Sequence, residues 1–281
     1  MRKTSTPYNT SPTPYYRVSA HLTFLRPGLV AILFILLISS AHAQISPPGV
    51  GSTKGVSWGA IGLTQHLGTR WVSSTYVGVA RESDPDNWAL FKKQGLLVLN
   101  EEISYGVNSH WQFSVAGSFR RQNEYSSEPP YEREDPAHKK EVRFYSRLQY
   151  KHQLKRVAIT YTFRPEWRSF YQSSETPLAT PKEIRIRLKA QASIPLNQAH
   201  SNFLIGGNEV LTVTDKTKEN TWSAYHFTED RLSLYFRHVF AHSPLSVDLG
   251  LMEQFKPHGH KTSYLAFDVQ LQDPFGKHSA H

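Results

Sequence analysis

The residues best suited to chemistry in this sequence are charged, and they are regularly spaced. In "EVRFYSRLQYK" (141–151), Glu141, Arg143, Arg147 and Lys151 fall on alternate positions. In "VAITYTFRPEWR" (157–168), Arg164, Glu166 and Arg168 do the same. In "KEIRIRLKAQASIPL" (182–196), Arg185, Arg187 and Lys189 alternate with Ile184, Ile186 and Leu188. Long cations at period two, with acids among them, can do one of two things. They can neutralise one another as a packed ion-pair ladder, or they can line a path for an anion.

Other chemistry is poorly supplied. An acyl hydrolase needs a Ser nucleophile beside a His base. The local groupings are His200-Ser201, Ser223 with His226, and His242-Ser243, and the first and last fall in short turns. "PHGH" at 257–260 places two His two apart, with no carboxylate cluster to complete a metal site. The chain has no Cys, so disulfides and thiolate metal sites are excluded. No phosphate-cradling Gly loop or EF-hand spacing occurs. No catalytic residue, metal ligand or cofactor is assigned.

Period two over ten residues requires strands, since successive side chains then point to opposite faces. Eleven such segments follow one another from Trp58 to Phe275. No competing helical period of useful length interrupts them. Their connections alternate: short turns such as "GT", "GVNSH" and "AHSP" take turns with long polar stretches at 81–95, 121–140, 169–181, 214–230 and 256–262. That alternation predicts an all-β, up-and-down antiparallel transmembrane β-barrel with short periplasmic turns and longer extracellular loops. Because single-chain bacterial barrels use even counts, 12 strands are expected, with 10 as the alternative. The missing strand would lie in 44–56 or within 214–230. Trp58, Trp71, Trp111 and Trp167 sit near strand ends, where an interfacial aromatic girdle belongs. Pro165 predicts a local irregularity, and Gly206-Gly207 a bulge.

The N-terminal region reads as an export signal. Arg26 precedes the apolar run "LVAILFILLI" at 29–38, and Ala41-His42-Ala43 is a small-x-small cleavage site. The expected organisation is a signal peptide over 1–43, a flexible lead-in over 44–55, the barrel over 56–275 and a tail over 276–281. Four of the 32 basic residues and none of the 23 acids lie in 1–43, which leaves +5 on the remainder. So mild a balance does not call for nucleic acid.

The two faces can then be assigned. Arg or Lys on a lipid face would cost about 2–4 kcal/mol each near the midplane. The cationic faces of neighbouring strands must therefore all point inward. The expected interior network is Glu102, Glu141, Arg143, Arg147, Arg164, Glu166, Arg168, Arg185, Arg187, Lys189, Glu209, Arg231, Asp248 and Asp268, with Glu209 oriented by the Gly206-Gly207 bulge. Leu265, Phe267, Val269, Leu271 and Phe275 share the apolar face of the last strand. This is the type of C-terminal signal that the barrel assembly machinery reads, although Asp273 interrupts it.

The runs "EVRFYSRLQY", "FRPEWRSF", "RIRLKAQASIPL", "GNEVL" and "FTEDRLSLYF" together resemble a family of exported bacterial proteins defined as a domain of unknown function. The resemblance covers most of 55–272. It implies an outer-membrane barrel and places the family's Arg-x-Arg and Glu-x-Arg steps on Arg143, Arg147, Glu166, Arg168, Arg185, Arg187, Glu209 and Arg231. It implies no activity. The resulting expectation is an outer-membrane barrel, structural or a narrow conduit for an anionic small solute, with membrane lipid and the assembly machinery as partners. The alternatives are a lipid-modifying barrel enzyme and a soluble periplasmic β-barrel binding protein.

Overall fold

The structure is a computed structural model that describes residues 49–50, 53–172, 180–217 and 219–276. The expected signal peptide (1–43) lies outside them. Eleven strands occur in order: β1 (Gly55–His66), β2 (Trp71–Glu82), β3 (Lys93–Gly106), β4 (Trp111–Tyr125), β5 (Arg133–Leu154), β6 (Val157–Gln172), β7 (Lys182–Pro195), β8 (Asn202–Lys216), β9 (His226–Val239), β10 (Leu245–Phe255) and β11 (Lys261–Gln272). Each pairs antiparallel with its sequence neighbour, as an up-and-down wall requires, and β1 pairs with β11 to close the barrel. There is no α-helix among the described residues, only a 3₁₀ turn at Pro257–Gly259.

The closure explains the strand count. β1 and β11 run parallel, from Gly55 opposite Ser263 to Thr64 opposite Gln272. A parallel seam lets an odd number of strands close, so the wall itself needs no twelfth. The segment 214–230 supplies only an extended bridge, Trp222 to Lys216, outside the named strands. The chain therefore enters β1 at the long-loop end and leaves β11 at the short-turn end. Val50 of the lead-in is buried at the long-loop end, where its N–H donates to the Tyr264 hydroxyl at 3.2 Å.

The two faces differ as the period demands. Ile61, Phe144, Leu188, Leu251 and Phe267 are among the apolar side chains left exposed on the outside, each more than half accessible. At the short-turn end Trp71 meets Tyr105 and Trp111 meets Tyr150, with ring centroids 4.8 and 4.9 Å apart. Near the long loops Trp167 meets Trp222 at 5.9 Å. Trp58 is not part of either girdle. It points inward, is buried, and donates its indole N–H to Asp268 at 2.9 Å. Gly78 makes room for it: a Cβ there would lie 2.3 Å from the ring. Gly250 does the same for Tyr235, at 2.1 Å.

Two local expectations resolve differently. Opposite Pro165, which has no N–H to donate, β5–β6 pairing lapses between Tyr145–Glu166 and Leu148–Phe163, yet the register is the same on both sides. Gly206 and Gly207 pair regularly with both neighbouring strands and form no bulge. The register shift in β8 lies instead between Leu211 and Thr212, so Glu209 faces inward by simple alternation with Ile205 and Gly207.

Candidate functional site: a closed ring of buried arginines and glutamates

The interior has two unlike halves. Strands β1, β2, β3, β10 and β11 contribute Val56, Trp58, Ala60, Ala80, Leu96, Val98, Met252, Tyr264 and Ala266 to an apolar cluster. Ile205 of β8 and Tyr235 of β9 join that cluster, while strands β5 to β9 contribute most of the buried charge.

On that half, like charges stand directly opposite one another: Arg143 faces Arg168, and Arg164 faces Arg187. Such pairs repel unless acids lie on the diagonals, which long side chains can reach. The acids do lie there. Glu141 accepts from Arg143 Nε at 2.8 Å and from Arg168 Nε at 2.7 Å and Nη2 at 2.8 Å. Arg168 continues to Glu183, which accepts from Arg185 Nε at 3.1 Å. Arg185 reaches Glu229 at 3.5 Å, and Glu229 holds Arg231 Nη2 at 2.9 Å. Arg231 reaches Glu209 at 3.5 Å, which holds Arg187 at 2.6 Å. Arg187 meets Glu166 at 3.1 Å, and Glu166 returns to Arg143 at 3.5 Å.

Arg143, Glu141, Arg168, Glu183, Arg185, Glu229, Arg231, Glu209, Arg187 and Glu166 thus form a closed cycle of alternating sign. Nine of its members are buried and Arg185 is nearly so. Every carboxylate in it has at least two guanidinium neighbours and every guanidinium two carboxylates. This is the condition under which buried charge is tolerated, because removing any one member strands its partners.

Eight members were legible in the sequence. Glu183 and Glu229 were not assigned, although each stands two residues before an assigned arginine and so shares its face. Arg164 hangs on the cycle at Glu166, 2.8 Å from it, and its guanidinium stacks 3.6 Å over the Tyr145 ring. Lys189 faces inward directly opposite Glu209. Glu102 and Arg147 form a separate pair at 3.0 Å, supported by the hydroxyls of Ser114 and Tyr145 at 2.6 and 2.9 Å. Asp248 and Asp268 stand apart from the ring. They face each other across β10 and β11. Asp248 takes both forks of Arg237, at 2.6 Å each, an arginine that the sequence reading left out. Asp268 has only the Trp58 N–H, and its Oδ2 finds no hydrogen-bond donor among the described residues.

The exterior carries acids as well, Asp230 and Glu253 towards the long-loop end and Glu101 within β3. Glu101 stands on the outer face between Leu99 and Ile103, half-buried, and accepts hydrogen bonds from Ser73 at 2.6 Å and from Thr75. In the loop over the mouth, Asp84 is buried against Lys92, Lys93 at 2.9 Å and Asn87 at 2.9 Å. Burial alone would raise its pKa, but these three hydrogen bonds outweigh it and hold the carboxyl well below the usual range.

The hydrolytic groupings do not assemble. Ser201 is bonded to Asn197 at 2.7 Å, Ser223 to the Asp215 N–H at 3.0 Å and Ser243 to the Leu245 N–H at 3.2 Å, while His226 contacts a backbone carbonyl at 3.2 Å. Ser109 and His110 do touch, at 3.0 Å, as neighbours in an exposed turn. His258 and His260 are exposed, and among the described residues no group of three or more candidate ligands could hold a metal.

Fold and site together define a class: a closed all-β barrel whose interior is bridged by a buried Arg/Glu network. The chain belongs to the family described as "Protein of unknown function (DUF2490)", whose profile matches residues 56–264. No curated protein matches it.

Proposed function

We propose that this chain is an outer-membrane β-barrel whose lumen is shut by its own side chains, so that it serves as a structural or ligand-holding barrel and not as an open conduit. The observation that carries this reading is the closed charge cycle. Glu166, one of its members, is 1% exposed, and Asp248 and Asp268 are fully buried. A water-filled pore would leave such groups wet.

The outer face supports the membrane location. Exposed Leu, Ile, Val and Phe recur on nearly every strand, bounded by aromatic pairs at both ends. Contiguous apolar surface of this extent needs a partner phase, and lipid supplies it on all sides. The apolar leader "LVAILFILLI" and Ala41-His42-Ala43 give the export route.

The test has two arms. Density fractionation of cell envelopes should place the protein in the outer membrane, with Gln44 as its first residue by N-terminal sequencing. Purified protein in planar bilayers should then insert without stepwise conductance. Recovery in a carbonate-washable periplasmic fraction would refute the location. Stable single-channel steps would refute the closed lumen.

A further inference from the structure

Above the cycle, at the long-loop end, lies a cavity of about 340 Å³. Arg120, Lys139, Arg168, Arg185 and Lys256 line it together with Glu124, Glu141, Glu183 and Glu229, and Phe170 stands on one side. Arg168 and Arg185 belong to the cycle and are matched by it. Arg120 is not.

Arg120 is 7% exposed. It stands in register directly opposite Glu141. That acid, however, already spends Oε1 on Arg143 and Arg168 and Oε2 on Arg168. Arg120 makes no ion pair among the described residues. Its Nη2 donates to two neutral acceptors, the Gly49 carbonyl of the lead-in and the Gln122 side-chain oxygen. Lys139 likewise makes no ion pair among the described residues and lies 4.3 Å over the Phe170 ring. Arg168 lies over the same ring at 4.7 Å. A buried guanidinium that must share its nearest carboxylate with two others is incompletely compensated, and an anion is the group that relieves the cost.

We infer that this cavity is a binding site for a small soluble oxyanion of the phosphate type, with Arg120 and Lys139 as its charged contacts and Phe170 as an apolar side for the rest of the molecule. Several features converge on this chemistry. The five cations of the lining exceed its four carboxylates by one, and Arg120 and Lys139 are lining cations that form no ion pair among the described residues. The guanidinium fork and the ammonium suit a dianionic, tetrahedral group. The volume falls within the range of small-molecule sites and exceeds that of a bare phosphate. The cavity lies inside the wall, away from the outer face where a lipid headgroup would lie, which favours a solute. The choice of a solute over a lipid rests on the proposed membrane location, whereas the site itself is tested apart from it and from the closed lumen, because binding is measured on purified protein.

The experiment is calorimetric titration of the detergent-solubilised full chain with inorganic pyrophosphate, beside phosphatidic acid in mixed micelles. Pyrophosphate should bind, and R120Q and K139Q should each weaken it at least tenfold. R121Q, which removes the adjacent exposed arginine from the outer face of the same strand, should leave it unchanged. Should R120Q fail to fold, K139Q, at a half-buried position near the mouth, decides the matter. Absence of pyrophosphate binding would overturn the assignment. So would binding of phosphatidic acid alone, an unchanged affinity in K139Q, or an equal loss in R121Q, the mark of diffuse attraction.

Discussion

Replacing Glu166 by Gln is the sharpest test of the charge cycle. Glu166 contacts Arg164 Nε at 2.8 Å, Arg187 at 3.1 Å and Arg143 at 3.5 Å. The amide is nearly isosteric, so packing is conserved and only the charge is lost. Two of the three arginines have a second acid: Arg143 keeps Glu141 and Arg187 keeps Glu209. Arg164 has no other ion pair among the described residues and is left with the Tyr145 ring. Removing one partner of a buried pair costs about 3–5 kcal/mol, since the remaining charge stays desolvated. For a chain of this size each kcal/mol lowers Tm by about 2–4 °C, so the expected drop is about 6–20 °C. Thermal unfolding of the solubilised barrel, followed by far-UV circular dichroism, reads it directly. Glu128→Gln, at an exposed loop position, is the control and should shift Tm by less than about 2 °C. Adding Arg164→Gln to Glu166→Gln should restore part of the loss, because it removes the stranded guanidinium. If Glu166→Gln and Glu128→Gln melt alike, the interior charges are solvated. The closed-lumen reading then fails with them.

Three further outcomes follow from the same geometry. Asp248→Asn should lower Tm by several degrees because it breaks the double contact with Arg237, whereas Asp268→Asn should be neutral or stabilising, since it relieves repulsion from Asp248 and keeps an acceptor for Trp58; equal losses would refute this. Asp84→Asn should speed hydrogen exchange in the 83–92 loop at pH 7; because the folded carboxyl is depressed, its contribution is complete above the unfolded pKa of about 3.9 and fades as pH falls below it, so the difference from the parent chain must shrink in acid. In this Cys-free chain, Leu188→Cys should react with a lipid-soluble thiol probe in vesicles, and Lys189→Cys with no water-soluble probe until the barrel is unfolded; labelling of Lys189→Cys in the intact barrel would show that the interior is open.

The sequence by itself determined the strands, their alternation and which face carries charge. These are local properties: period two is visible within ten residues, and charge recurs on one parity in each of several neighbouring strands. It was enough to place Arg143, Glu166, Arg187 and Arg231 on one side of the wall. The same parity would have added Glu183 and Glu229. Only the tertiary structure decided the rest. The parallel seam of β1 and β11 joins residues some two hundred positions apart, and nothing local to either strand announces it. Trp58 turned inward because Gly78 leaves space and Asp268 offers an acceptor, and both depend on the register of that seam and its neighbours. The closing of the cycle, and the exclusion of Arg120 from it, depend on which carboxylate oxygens are already taken. Strand pattern sets the direction of a side chain, but its partner is set by register between strands, and register is a property of the closed barrel as a whole.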